Sequence, residues 1–363
     1  MATPQQLASY AQAAQAAYAA DLIPGDDNAE RYQDEPDMSV TQAQQFDFAW
    51  TVLAQSPSVW NGFSAVLLQN ATTGEKVLAI RGTNDPADIW WADRVSIATV
   101  GDVTGMAQYA ALETFYQQLV TNGQLGAAEQ VVVTGHSLGG FLAQAFTARH
   151  DSVVSSAYTY NSPGFGGLGG QLLDWLGIVD GSIANGKITN VQAIDGISIV
   201  SGLGFMLGTT VESRVEAGTL PGSNHSIVRL SDSLAVQGVL ARLDPAVTQK
   251  AINELLLASS NADESALEAL LDAVRRTVLG PDVAVTGIGD RDALYANLAE
   301  LSASAGFVVL AGKLSVGLPG ATLVNEARTK FSAFLAACRT ELFSWTGKRL
   351  QCAWIHVDTW QEW

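Results

Sequence analysis

Gly135-His136-Ser137-Leu138-Gly139 sets a serine between two glycines, each two residues away. A serine hydroxyl is a weak nucleophile, and it does covalent chemistry only where the backbone presents it and a base takes its proton. A sharp turn from strand to helix presents it. The serine there takes a strained backbone conformation, and the two glycines let the flanking chains approach without Cβ clashes. The neighbouring residues fit such a turn. Gln130-Val-Val-Val-Thr134 is a short apolar β run, and Phe141, Leu142, Ala145 and Phe146 follow at helical spacing. The N-terminus of that helix offers its dipole to a developing oxyanion.

The chain has four histidines, so the search for a base is short. His136 lies inside the turn, with its side chain expected to point away from the reacting face of Ser137. His150 ends the following helix, where a cation has a structural reason to stand. His356 lies in the C-terminal stretch. His225, in Gly222-Ser-Asn-His-Ser-Ile-Val-Arg229, sits in a loop entering an apolar run and is the expected base. The base needs an orienting carboxylate. Asp195 closes the run Asn190-Val-Gln-Ala-Ile194 ahead of Gly196, at the C-terminal end of a strand, where sites of open α/β sheets collect. Asp180, in Ile178-Val-Asp-Gly-Ser182, is the alternative.

The elements that must position these residues follow from periodicity. Phe63–Gln69 and Lys76–Ile80 are apolar β-type runs around a Gly-containing turn and predict a hairpin. Met106, Tyr109, Ala110, Leu112, Phe115, Tyr116 and Leu119 predict a helix over 106–120. Ser156–Tyr160 and Lys187–Ile194 are further strand candidates. Alternating strands and helices predict an α/β fold with a mostly parallel central sheet flanked by helices. Residues 24–38 are acidic and turn-rich and predict a surface loop, and the Ala/Gln-rich N-terminus predicts the start of an amphipathic helix. Past residue 240 the composition turns Ala/Leu/Glu-rich, with helices expected over 246–258, 263–279, 291–303 and 324–337. The expected organisation is a catalytic unit over 1–240, a helical C-terminal extension packed on it over 241–338, and a tail over 339–363.

Gly135-His-Ser-Leu-Gly-Gly140, with Ile80-Arg-Gly-Thr83 upstream, resembles the class 3 (fungal-type) lipase family of α/β-hydrolases over roughly residues 60–235. Asp88-Ile-Trp-Trp-Ala-Asp93 is similar to a family segment, with the Trp shifted. The resemblance implies an α/β-hydrolase fold with its triad in the chain order Ser137, Asp195, His225. It implies an oxyanion hole from the backbone N–H groups of Thr83 and Leu138. It also implies carboxylester hydrolysis at a lipid–water interface, on acylglycerols or phospholipids, with feruloyl esters as a further class, and no cofactor for the chemistry. Residues 197–207 and 86–107 carry the apolar and Gly content of a flap, and each also reads as ordinary core. Three alternatives stand beside this reading: an acyltransferase, a small-ester esterase, and a non-catalytic binding module on the same fold.

Thirty-six acidic against nineteen basic residues give a net charge of −17, which repels phosphate backbones and argues against a nucleic-acid partner. If phospholipid is the substrate, calcium or salt is expected to activate by screening that surface. Cys338 and Cys352 form one bridge or remain two thiols, and no His or Cys at zinc spacing stands beside them, so no metal site is expected. No classical signal peptide and no run long enough for a transmembrane helix is visible. A soluble protein is expected, cytoplasmic or exported by a signal-independent route. The last 25 residues hold four of the nine Trp and read as an ordinary terminus or as a truncation or fusion by-product.

Overall fold

Thr3 and Gln6 form a reciprocal cap, with Thr3 Oγ accepting from the Gln6 amide and Gln6 Oε1 from the Thr3 amide, and Pro4 occupies the first helical position. They start helix α1 (Pro4–Ala16) in the computed structural model, which describes residues 2–57, 62–82, 103–165, 186–194, 205–216, 223–244, 247–259 and 266–315. For residues 103–105, 257–259 and 312–315 it describes the backbone alone. Helix α2 (Ala29–Gln33) lies within the acidic segment expected as a loop. Tyr32 anchors it, fully buried and edge-on to Phe46 of α3 (Val40–Ala49), while the Asn28 amide ties down the Ile23 and Asp26 carbonyls. The segment is therefore a packed corner, because one buried aromatic supplies an anchor that its charged neighbours do not.

Strands β1 (Trp50–Gln55), β2 (Ala65–Asn70) and β3 (Lys76–Ile80) run antiparallel, and β2–β3 is the predicted hairpin, with Ala65 opposite Ile80 and Gln69 opposite Lys76. Then follow α4 (Val103–Thr121), β4 (Val131–His136), α5 (Leu138–Arg149), β5 (Val154–Tyr160), β6 (Ile188–Ile194) and β7 (Thr209–Arg214). From β3 to β7 all neighbours are parallel, and the seven strands stand side by side in chain order. This mixed sheet, flanked by helices and carrying a strand–serine–helix turn, is an α/β-hydrolase fold.

Sequential order has a physical consequence. Right-handed crossovers that always step in one direction put their helices on one face of the sheet. Accordingly Tyr109, Leu112 and Phe115 of α4 and Phe141, Leu142 and Phe146 of α5 share one core with Leu78, Ile80, Val131 and Val133. The alternating residues Val77, Ala79 and Val132 point to the opposite face. Its cover is α1 together with α6 (Ile227–Leu243), through Leu7, Ala11 and Ala14 and through Ile227, Leu230 and Leu234. The N-terminal helix is buried nearly all round, because its alanines let both the sheet and α6 come close.

Beyond the sheet, Val236, Leu240 and Leu243 of α6 belong to a separate core with α7 (Gln249–Ser259), α8 (Ala266–Leu279), α9 (Arg291–Ala303) and α10 (Ala305–Ser315). Arg291 pins these helices to the sheet domain. Its Nε and Nη2 donate to Asp232 of α6 at 2.6 and 3.0 Å, and Nη1 reaches the Asp37 carbonyl. Tyr295 also donates to Asp232, at 2.9 Å. Residues 324–337, the tail over 339–363, Cys338, Cys352 and His356 lie outside the described residues. Among the described residues no single helix is long and apolar enough to cross a membrane.

Candidate active site

Ser137 follows β4 and caps α5 with φ 55° and ψ −126°, a left-sided conformation that a non-glycine residue holds only when its surroundings enforce it. The enforcing contacts are visible. A Cβ on Gly135 would lie 2.4 Å from the backbone of Gly139, and a Cβ on Gly139 would lie 2.2 Å from the Ile80 carbonyl oxygen. The Ser137 amide is held by the Tyr160 carbonyl of β5 at 2.9 Å. The hydroxyl is thereby lifted to the C-terminal edge of the sheet.

His225, expected as the base, closes a short 3-10 turn (Ser223–His225) and places Nε2 2.9 Å from Ser137 Oγ. The ring is 2 % exposed, and burial pushes its pKa down to about 4, so the imidazole is neutral at neutral pH and able to accept the serine proton. With Nε2 as acceptor, Nδ1 carries the proton. That nitrogen is buried and has no hydrogen-bond partner among the described residues. Asp195 and the alternative Asp180 both lie outside them. Strand β6 ends at Ile194, one residue before Asp195.

Of the expected oxyanion donors, Leu138 is the first residue of α5, where its amide faces the dipole-positive helix end. Thr83 lies outside the described residues, as do Asp88–Asp93 and most of both flap candidates. Its neighbour Gly82 is described, and a Cβ there would lie 3.2 Å from Ser137 Cβ, so the end of β3 abuts Ser137. Of the 197–207 segment, Phe205 is 65 % exposed and Leu207 is buried. Met106 packs within α4 against the core.

His136 does point away from Ser137 Oγ, as expected, but it is not idle. Its Nε2 lies 2.7 Å from the carbonyl oxygen of His225, and its Nδ1 lies 2.8 Å from the Tyr18 hydroxyl. Asn161, at φ 45°, donates through Nδ2 to the Asn224 and His225 carbonyls at 3.0 and 3.3 Å and accepts the Ala193 amide at 2.8 Å. It thus ties the end of β6 to the loop that carries His225. Sequence reading missed Tyr18 and Asn161, and no local signal marks either. His150 ends α5 as expected and is held by Glu113 at 2.8 Å, remote from the serine. Among the described residues no cluster of His, Cys, Asp and Glu is placed to hold a metal ion.

No family model and no curated protein matches the chain. Solved structures similar to it include Lip2 lipase from Yarrowia lipolytica, at 17% identity over 60% of this chain and 81% of that one, with a TM-score of 0.40. A lipase from Rhizopus microsporus var. chinensis is 18% identical over 60% of this chain and 77% of its own, with a TM-score of 0.38. A triacylglycerol lipase from Penicillium expansum is 14% identical over 58% and 79%, with a TM-score of 0.34.

Proposed function

We propose that the protein is a serine carboxylester hydrolase that cleaves fatty-acyl esters of lipids, as a triacylglycerol lipase or a phospholipase A1-type enzyme. The observation that carries the hydrolase reading is the 2.9 Å contact between a neutral, buried imidazole and a serine held at positive φ. A strained serine and an aligned base have no packing role that requires both. The lipid substrate rests on the motif resemblance.

In this reading His225 Nε2 takes the Ser137 proton as Oγ attacks the ester carbonyl. The oxyanion is stabilised by the Leu138 and Thr83 amides, and the alcohol leaves with the proton from Nε2. Water, activated by the same nitrogen, then resolves the acyl-enzyme. Asp195 is the acid of the triad. Its support is the Asn161 bridge, which joins Ala193, two residues before it, to the carbonyls of Asn224 and His225. The chemistry uses no cofactor, and calcium acts only as an activator on charged lipid surfaces.

The test is fatty-acid release from triacylglycerol emulsions and from phosphatidylcholine vesicles by wild type and Ser137→Ala. Wild type is expected to release acid from one of them, with the rate ratio naming the substrate class, and Ser137→Ala to fall by at least about 10³-fold. Wild type inert on both lipids but active on a short p-nitrophenyl ester removes the lipid part alone. A Ser137 that neither turns over esters nor reacts with a fluorophosphonate removes the hydrolase reading and leaves a binding module.

A further inference from the structure

Four polar groups link the end of β3 to the backbone of His225. The Gly82 backbone lies against the Tyr18 hydroxyl, since a Cβ on Gly82 would come within 2.5 Å of that oxygen. That hydroxyl lies 2.8 Å from His136 Nδ1, and His136 Nε2 lies 2.7 Å from the His225 carbonyl oxygen. The directions are forced. A carbonyl oxygen only accepts, so Nε2 carries the proton, Nδ1 of the neutral ring accepts, and Tyr18 O–H donates to it. The chain therefore runs one way, from Tyr18 in the loop after α1 to the backbone of the base.

We infer that Tyr18 and His136 are positioning residues for the general base, fixing the main chain of His225 so that its Nε2 stays aligned with Ser137 Oγ. This rests on the Ser137–His225 reading above and adds to it a relay supplied by the N-terminal helix. Several features suit the role. His136 is 5 % exposed and immediately precedes the nucleophile, so its ring reports the position of the elbow to the loop of the base. The two imidazoles lie with centroids 4.8 Å apart, close enough that a charge on one opposes a charge on the other. Burial pushes His136 down to about 3 and Tyr18 well above the ordinary phenol value, so each stays neutral and the proton directions do not invert near neutral pH. Gly82 is bound into the same contact, since a Cβ there would lie 2.5 Å from the Tyr18 oxygen and 2.7 Å from the His136 carbonyl. The base is thus held by its backbone, and a drift of about 1 Å at Nε2 is enough to cost about 10²-fold in rate.

The experiment uses the full chain, a p-nitrophenyl butyrate assay and titration of active sites with a fluorophosphonate. Tyr18→Phe removes one oxygen and leaves the ring. His136→Leu removes the donor to His225, and His136→Gln restores an N–H near the place of Nε2. Tyr18→Phe and His136→Leu are expected to lower kcat per titrated site by about 10- to 100-fold with KM within about twofold of wild type. His136→Gln is expected to recover most of the loss. A merely structural role lowers the number of titratable sites and leaves kcat per site unchanged, and that result in Tyr18→Phe and His136→Leu overturns the inference. So does a His136→Gln variant no better than His136→Leu when both titrate fully. Failure of the triad reading looks different, because wild type itself then shows no titratable serine.

Discussion

At the scale of single residues, the open end of His225 makes the sharpest prediction. Its Nε2 is occupied by Ser137, and its Nδ1 is buried without a partner among the described residues. Burial alone holds the imidazole at about 4, since a charged ring in that place loses its hydration. A carboxylate at Nδ1 favours the charged form and acts in the opposite direction. The acid limb of kcat/KM, which reports the free enzyme's base, is therefore expected above about 4 in wild type and closer to about 4 in Asp195→Asn. The same variant is expected to lose about 10⁴-fold in kcat, because an amide no longer selects the productive tautomer. A pH–rate series on wild type, Asp195→Asn and Asp180→Asn checks this. An acid limb that moves only in Asp180→Asn reassigns the acid.

At the scale of elements, Ser137 is held by the approach of α5 to β3, and that approach is set by Gly139. A methyl group there meets the Ile80 carbonyl oxygen at 2.2 Å and the Arg81 backbone at 2.8 Å, and backbone cannot swing aside as a flexible side chain can. Gly139→Ala is expected to lower stability by about 3 kcal/mol in urea unfolding, in the range of overpacked cores. Activity of its folded fraction is also expected to fall, since the Leu138 amide moves with the helix. The flanking elements were readable from their own residues. Val131–Val133 are apolar and β-branched, and α4 and α5 carry helical spacing. Strands β1 and β7 and helix α10 went unread. Strand β7, Thr209-Thr-Val-Glu-Ser-Arg214, is an edge strand, exposed or half-exposed at every position except Ser213, so no apolar alternation marks it. Its pairing with β6 makes it a strand, and pairing is not a local property.

At the scale of the whole molecule, two features carry consequences beyond the site. Asp232 is 6 % exposed, and the charge it buries is balanced by Arg291, 59 residues further along the chain. Arg291→Met is expected to destabilise by about 3 kcal/mol, because it strands a buried carboxylate, and replacing Asp232 as well with an apolar residue is expected to recover much of it. Thermal unfolding of the single and double variants measures the coupling. The net charge of −17 acts at longer range. On vesicles that carry anionic lipid, fatty-acid release is expected to rise with calcium or with salt, as screening shortens the reach of the acidic surface, and to fall when calcium is chelated. Rates indifferent to chelation and to ionic strength remove electrostatic docking from the mechanism.

What the sequence by itself determined lies in contiguous stretches. Five residues from Gly135 to Gly139 specify the elbow, because its strain is relieved by glycines two positions away on the same chain. With four histidines and the elbow placed, elimination reached His225. The tertiary structure alone decided what holds them. Tyr18 meets His136 across 118 residues, His136 meets His225 across 89, and Asn161 meets Asn224 across 63. None of these pairs leaves a periodic trace, because each depends on which helix covers the second face of the sheet. A sheet built by steps in one direction leaves that face bare of its own crossover helices. The N-terminal helix fills it, and with it comes the tyrosine that reaches the site.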